Sequence, residues 1–235
     1  MPVAIRKSAE RGHFKNEWLD SYHSFSFADY YDPKHMNFRT LRVINHDLIQ
    51  ADTGFEKHPH RDMEIITYVL QGTVEHQDSL GNKEHIHAGE VQVISAGTGI
   101  LHSEFNPSAD SALELLQIWV TPNKAGLKPS YQQKMITVEA KKNQWALIVS
   151  NDGRDSSLKI HQDVLILASI LESKKNLSYE IKNGRAIWIQ VAKGKISVNN
   201  QNLSIGDAVA IESEAHCQVQ GISDAEIILF DLGPN

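Results

Sequence analysis

From about Thr40 onward the chain is a succession of short β-branched and apolar runs broken by turn residues, with almost no helical periodicity. This pattern restricts the fold more than any other feature. Residues 40–45 alternate, 64–70 are mostly β-branched and apolar, Gln71-Gly72 breaks the run, and 73–76 resume it, which reads as a strand, a tight turn and a return strand. Residues 90–94 and 113–120 continue the series, and 145–150, 164–171, 186–192, 195–199, 208–211 and 226–232 extend it to the end. Many short strands at close spacing make a sandwich or a barrel. The sequence therefore predicts an all-β protein with a few short helices, the candidates being residues 9–19 and 128–134.

Two segments recur in order. Val69-Leu-Gln-Gly-Thr-Val74 resembles Val191-Ala-Lys-Gly-Lys-Ile196, 122 residues later, and Gly89-Glu-Val-Gln-Val-Ile94 resembles Gly206-Asp-Ala-Val-Ala-Ile211, 117 residues later. Nearly equal offsets indicate two copies of one β unit. Between them, Pro122-Asn-Lys-Ala-Gly-Leu-Lys-Pro129 lacks apolar periodicity and suits a connection. The expected domains are residues 1–135 and 136–235, with the first strands free to cross between them. With 23 Lys+Arg against 29 Asp+Glu, the net charge of -6 offers no basic field for nucleic acid or an anionic membrane. No apolar run approaches a membrane span, the start lacks a secretory core, and the single cysteine, Cys217, reads as a buried structural thiol. A soluble, cytoplasmic monomer is expected.

Twelve histidines against seven prolines and four methionines is the unusual count. Within the first copy stands Gly54-Phe-Glu-Lys-His58-Pro-His60-Arg-Asp-Met-Glu64, and later Ser95-Ala-Gly-Thr-Gly-Ile-Leu-His102-Ser-Glu104-Phe-Asn106. Residues two apart on a strand share a face. His58 and His60 therefore point together, as do His102 and Glu104, and two such pairs on neighbouring strands converge as three imidazoles and a carboxylate. That is a transition-metal donor set, suited to iron, copper, nickel, cobalt, manganese or zinc, with the carboxylate favouring harder ions such as Fe(II). Pro59 confines its strand to an edge or an irregular entry. His85-Ile-His87 has the same spacing without a partner motif, and His76, His161 and His216 stand singly. His13, His23, His35 and His46 read as ordinary surface residues, with the barrel mouth as their alternative.

His-x-His-x3-Glu with a trailing glycine, followed by glycine and then His-x3-Asn, is similar to the two cupin motifs. Three residues separate Gly54 from His58, Ser95 stands where proline is usual, and seven residues separate Glu64 from Gly72, departures that point to a subfamily. Trp18-Leu-Asp-Ser-Tyr-His-Ser-Phe-Ser-Phe-Ala-Asp-Tyr-Tyr31, Leu41-Arg-Val-Ile-Asn45, His58-Pro-His-Arg-Asp-Met-Glu64, Thr67-Tyr-Val-Leu-Gln-Gly72 and Gly97-Thr-Gly-Ile-Leu-His-Ser-Glu104 resemble the bacterial form of the pirin family, most specifically across residues 1–135. The resemblance implies a bicupin, two antiparallel jelly-roll barrels, with one metal, commonly iron, in the first barrel and none in the second. The general cupin pattern would make Glu64 the carboxylate ligand; the pirin pattern makes it Glu104.

The resemblance further implies quercetin 2,3-dioxygenase activity in bacterial members and transcriptional co-regulation in eukaryotic ones. Under the first, a flavonol coordinates through its 3-hydroxyl, reacts with O2 and loses carbon monoxide, and Glu104 is the base that takes the hydroxyl proton. Tyr30, Met36, Phe38 and Leu41 are the expected mouth residues. Under the second, the metal is a redox-sensitive switch governing a protein partner.

Overall fold

The computed structural model describes residues 3–234. The chain divides into two compact units: one contains Gly12–Met135 with Leu158–Gln162, and the other contains the residues before Gly12 with Ile136–Ser157 and the chain from Asp163 onward. Relative to a single cut after residue 135, the residues before Gly12 and residues 158–162 fall in the opposite unit. The leading strand Val3–Arg6 pairs with Ala208–Glu212 in the second unit.

In the first unit a larger sheet runs in the order Ser130–Met135, Glu90–Ser95, Glu64–Gln71, Leu113–Val120, Leu41–Ile49, Leu19–His23, Gly12–Lys15. A smaller sheet runs Gly54–His60, Ile100–Phe105, Thr73–Asp78, Lys83–His87. Val74 and Ile86 of the smaller sheet join Leu19, Ile49, Val69, Leu113 and Leu115 of the larger in one buried cluster. Full burial of each such side chain stabilises by about 1.5–3 kcal/mol. The sheets remain separate, so the architecture is the expected jelly-roll, open where the sequence reading drew a closed barrel.

The second unit repeats this order. Val3–Arg6, Ala208–Glu212, Ala186–Lys193, Ala225–Leu232, Val164–Leu171 and Ala146–Ser150 follow one another in its larger sheet, and Asn176–Glu180, His216–Gly221, Lys195–Val198 and Gln201–Ser204 form the smaller. Val3–Arg6 takes the position that Ser130–Met135 occupies in the first unit. The recurring glycines close equivalent turns, with Gly89 donating to the Val69 carbonyl at 3.0 Å and Gly206 to the Val191 carbonyl at 2.9 Å. Cys217 is fully buried, and burial pushes its thiol up to about 12.

Burial explains which runs became which strands. Glu64–Gln71 is central, and its seven leading residues are all buried, as a β-branched and aromatic run covered on both faces should be. Gly54–His60 is an edge strand, where Pro59 forfeits no ladder bond needed by an inner neighbour. The helix expectations fail. Residues 9–19 contain only the end of a 3-10 turn, Ser8–Glu10, before the strand Gly12–Lys15, and residues 130–135 extend along Glu90–Ser95 because that sheet edge supplies backbone partners a lone helical turn lacks. The one α-helix among the described residues, Val138–Lys141, is capped by Thr137.

Candidate metal centre

Gly54–His60 and Ile100–Phe105 run antiparallel, with His58 opposite His102 and His60 opposite Ile100. Between His102 and Glu104 the register shifts, so that Glu104 faces Phe55. The shift is a β-bulge, a device that re-aims side chains. Gly54 is required there, because a Cβ on it would stand 2.3 Å from the Glu104 carbonyl oxygen. At the far end, Asn106 Nδ2 donates to the carbonyls of Ile49, Gln50 and Ser111, which anchors the strand carrying His102 and Glu104.

The imidazoles of His58, His60 and His102 meet, with ring centroids 4.5 Å apart for His58 and His102 and 4.8 Å for the other two pairs. Their ligand atoms lie within 4.8 Å of one another. His58 Nδ1 donates to the Glu56 carbonyl at 2.7 Å, which fixes the tautomer and leaves Nε2 with its lone pair. Burial, reinforced by the neighbouring imidazoles, lowers His60 to about 4 and His102 to about 3, so both are neutral at pH 7. His102 is fully buried, and neither of its ring nitrogens has a hydrogen-bond partner. Buried polar atoms are rarely left so. Neutral imidazoles with unshared lone pairs are what a divalent transition metal binds, and the residues fit such an ion.

Glu104 enters through a second group, in which His76, His102 and Glu104 also bring their ligand atoms within 4.8 Å. Its carboxylate is 2% exposed; Gln117 Nε2 donates to Oε2 at 2.8 Å and Thr67 Oγ1 to Oε1 at 3.1 Å. These donors sit in one cross-strand row of the larger sheet, where His23 opposes Asn45, Asn45 opposes Gln117, Gln117 opposes Thr67 and Thr67 opposes Gln92. Each core strand contributes one polar residue to the row. Sequence reasoning named His23 only as a surface or barrel-mouth residue, overlooked Asn45, Thr67, Gln92 and Gln117, and treated His76 as solitary. His76 is fully buried with Nε2 3.0 Å from Asp78 Oδ2, and the available signal was the shared parity of His76 and Asp78 on the return strand after Gly72.

Glu64 faces elsewhere. It lies three residues before Thr67 and hence on the opposite face of its strand, where Ser95 Oγ donates to it at 2.8 Å and His161 Nδ1 lies 3.3 Å away. His85 and His87 are exposed, as expected for an unpartnered pair.

A cavity of about 660 Å³ opens onto His58, His60 and Glu104. Trp18, Phe27, Tyr30, Phe55 and Trp119 line it with aromatic surface. Of the expected mouth residues Tyr30 is present, whereas Met36, Phe38 and Leu41 are not, Leu41 being fully buried in the core. His13 and His23 line the cavity, and His23 is only 4% exposed. On the cavity wall Ser21 Oγ donates to Asp47 Oδ1, and His23 Nε2 lies 2.9 Å from Ser21 Oγ. Burial raises Asp47 to about 7, with Ser21 opposing and the Glu104 charge adding to the rise.

The sequence model described as Pirin matches residues 4–120, and that of the quercetinase C-terminal cupin domain matches 147–232. A quercetin 2,3-dioxygenase of Escherichia coli (strain K12) is 50% identical over 232 residues, 99% of each chain. The chain belongs to the pirin family. A pirin-like protein of Caulobacter vibrioides is 40% identical over 215 residues, covering 91% of this chain and 92% of its own. The crystal structure of bacterial pirin YhhW from Escherichia coli in complex with nickel(II) matches with a TM-score of 0.95 and 49% identity, covering 99% of this chain and 100% of that one. This pirin thus combines imidazole and carboxylate donors at one end of an aromatic-lined cavity, an arrangement able to hold a metal ion and a flat ligand side by side.

Proposed function

We propose that this pirin is a metal-dependent dioxygenase that opens the central ring of a flavonol such as quercetin with O2 and releases carbon monoxide. The observation that carries the reading is the convergence of His58, His60 and His102, with Glu104 beside them, on an aromatic-lined cavity of about 660 Å³. Such a volume suits one small planar ligand. In this reading His58, His60, His102 and Glu104 hold one divalent metal, taken to be Fe(II). The quercetin 2,3-dioxygenase name of the Escherichia coli relative supports the substrate class, and the nickel(II) complex of YhhW supports a divalent ion.

A divalent metal held by these residues would supply Lewis acidity toward the substrate hydroxyl and redox chemistry toward O2. The chain's own residues do the rest. Glu104, held by Gln117 and Thr67, accepts the proton of the flavonol 3-hydroxyl. His60 and His102 stay neutral, so neither competes as a proton source near pH 7. Trp18, Phe55, Phe27 and Trp119 flank the flat ligand and exclude water. Atoms balance when the carbon bearing the 3-hydroxyl leaves as carbon monoxide and both oxygens of O2 enter the ring-opened ester.

The second unit binds no metal in this reading: both histidine groups lie within Gly12–Met135. No helix among the described residues is long and apolar enough to cross a membrane. The working assignment is a cytoplasmic monomer that acts on a small aromatic substrate and O2 and binds no nucleic acid directly, a protein partner belonging to the alternative redox-switch reading. Incubation of the metal-loaded protein with quercetin under air and under argon, with carbon monoxide measured, tests the activity. Carbon monoxide under air alone is expected; quercetin left intact under air overturns it.

A further inference from the structure

We propose that Asp47, with Asn45 beside it, is where the cavity recognises a second hydroxyl group of its substrate, so that the preferred substrate is a polyhydroxylated planar aromatic. The inference rests on the flavonol reading above, in which hydroxyls are the ligand's only donors.

Asn45 and Asp47 lie two apart on Leu41–Ile49 and share its inward face. Each is only 3% exposed, and both line the same cavity as His58, His60 and Glu104. Asp47 takes one hydrogen bond among the described residues, from Ser21 to Oδ1, and Oδ2 is left without a donor. A carboxylate can accept several. Asn45 Oδ1 is buried with no partner at all. An acceptor buried without a donor, as Asn45 Oδ1 is, is destabilising in a folded interior, which is a reason to expect that a ligand supplies a donor at this wall.

The wall's chemistry selects among ligand groups. A carbonyl or carboxylate only accepts, whereas a hydroxyl both donates and accepts, so it can pair with Asp47 and with either end of the Asn45 amide. Its orientation is fixed from behind, since Ser21, 2% exposed, is engaged by both Asp47 and His23. Its position relative to the metal centre is fixed as well. Asn45 is the cross-strand partner of Gln117, which donates to Glu104 at 2.8 Å. Adjacent strands lie about 4.8 Å apart, so one flat molecule with an oxygen at the histidines spans to this wall. Sites built to pair with a hydroxyl discriminate strongly against analogues that lack it.

The test compares quercetin with 3-hydroxyflavone, which keeps only the metal-binding hydroxyl. Dissociation constants are measured by fluorescence quenching under argon on nickel(II)-loaded wild type, Asp47→Asn, Asp47→Leu and Asn45→Leu, with thermal midpoints confirming the fold. Wild type is expected to prefer quercetin. Asp47→Leu and Asn45→Leu should each lose roughly 10- to 100-fold in quercetin affinity and less than about threefold for 3-hydroxyflavone, while Asp47→Asn, which keeps an acceptor, retains most of the preference. If Asp47→Leu does not fold, Asn45→Leu and Asp47→Asn decide alone. Equal binding of the two ligands by wild type, or a preference that survives both leucine variants, overturns the assignment and leaves the flavonol reading standing. Failure of wild type to bind either flavonol removes both.

Discussion

Replacing Glu104 by glutamine separates what this side chain does for the fold from what it does for the reaction. The carboxylate is 2% exposed and accepts from Gln117 Nε2 at 2.8 Å and Thr67 Oγ1 at 3.1 Å. A glutamine can turn its oxygen to Gln117 and its amide to Thr67. Thr67 can then redirect its hydroxyl proton to Gln92 or Gln117, whose side-chain oxygens both lie 3.3 Å away. Gln117 Nε2 and Thr67 Oγ1 thus both keep a partner. The cost is the difference between a charge-assisted and a neutral hydrogen bond, about 1 kcal/mol, or about 2–4 °C in a chain of this size. Removing a general base costs far more, roughly 100- to 10,000-fold in turnover, equivalent to about 3–5 kcal/mol. Quercetin consumption per bound metal, with metal content measured on the same sample, is therefore expected to collapse while the melting temperature barely moves and occupancy falls only in part. Glu64→Gln should change turnover less than about threefold, because Glu64 is engaged by Ser95 on the opposite face. Unchanged turnover per metal in Glu104→Gln, or loss of the metal in Glu64→Gln, would refute the assignment.

Three further outcomes follow from the same geometry. His58→Ala, His60→Ala and His102→Ala should each strip most of one metal equivalent while circular dichroism stays β, since a large core and not the ion stabilises the fold; unfolding of all three would make the metal structural. Metal-free protein should lose stability in acid. His60 and His102 are held at about 4 and about 3, below the ordinary 6.5, so the unfolded chain binds more protons and the stability present above about pH 6.5 falls as pH drops toward those values, by about 1.4 kcal/mol per pH unit for His102. Urea midpoints at pH 7 and 5 measure this, and a flat profile contradicts it. Gly97→Ala should lower the melting temperature by at least several degrees, because Gly97 has φ +46° and a Cβ there would stand 2.0 Å from the Leu127 carbonyl oxygen at the turn leading to His102.

The strands were legible because β-branched runs such as Ile65-Ile66-Thr67 announce themselves, and the duplicated order was legible because Gly72 and Gly89 recur as Gly194 and Gly206 in equivalent turns. The i,i+2 rule brought His58 with His60 and His102 with Glu104, since parity survives even the bulge that parts the two strands. What escaped was polar and scattered. Asn45, Thr67, Gln92 and Gln117 each look like a single polar residue in an apolar strand, and only register aligns them into the row behind Glu104. A polar residue at core parity in four successive inner strands was the unread signal. Ser130–Met135 escaped differently: its Ser-Tyr-Gln-Gln-Lys-Met sequence is mostly polar, and it is a strand because an open sheet edge receives it.

The proposed dioxygenase reaction puts both oxygen atoms of O2 into the flavonol at this centre. Incubating the metal-loaded protein with quercetin under 18O2 and weighing the products by mass spectrometry tests it most directly. Two labelled oxygens in the ring-opened acid and one unlabelled carbon monoxide per quercetin consumed are predicted. Intact quercetin, or its oxidation with the label found only in water or peroxide and no carbon monoxide, would contradict it.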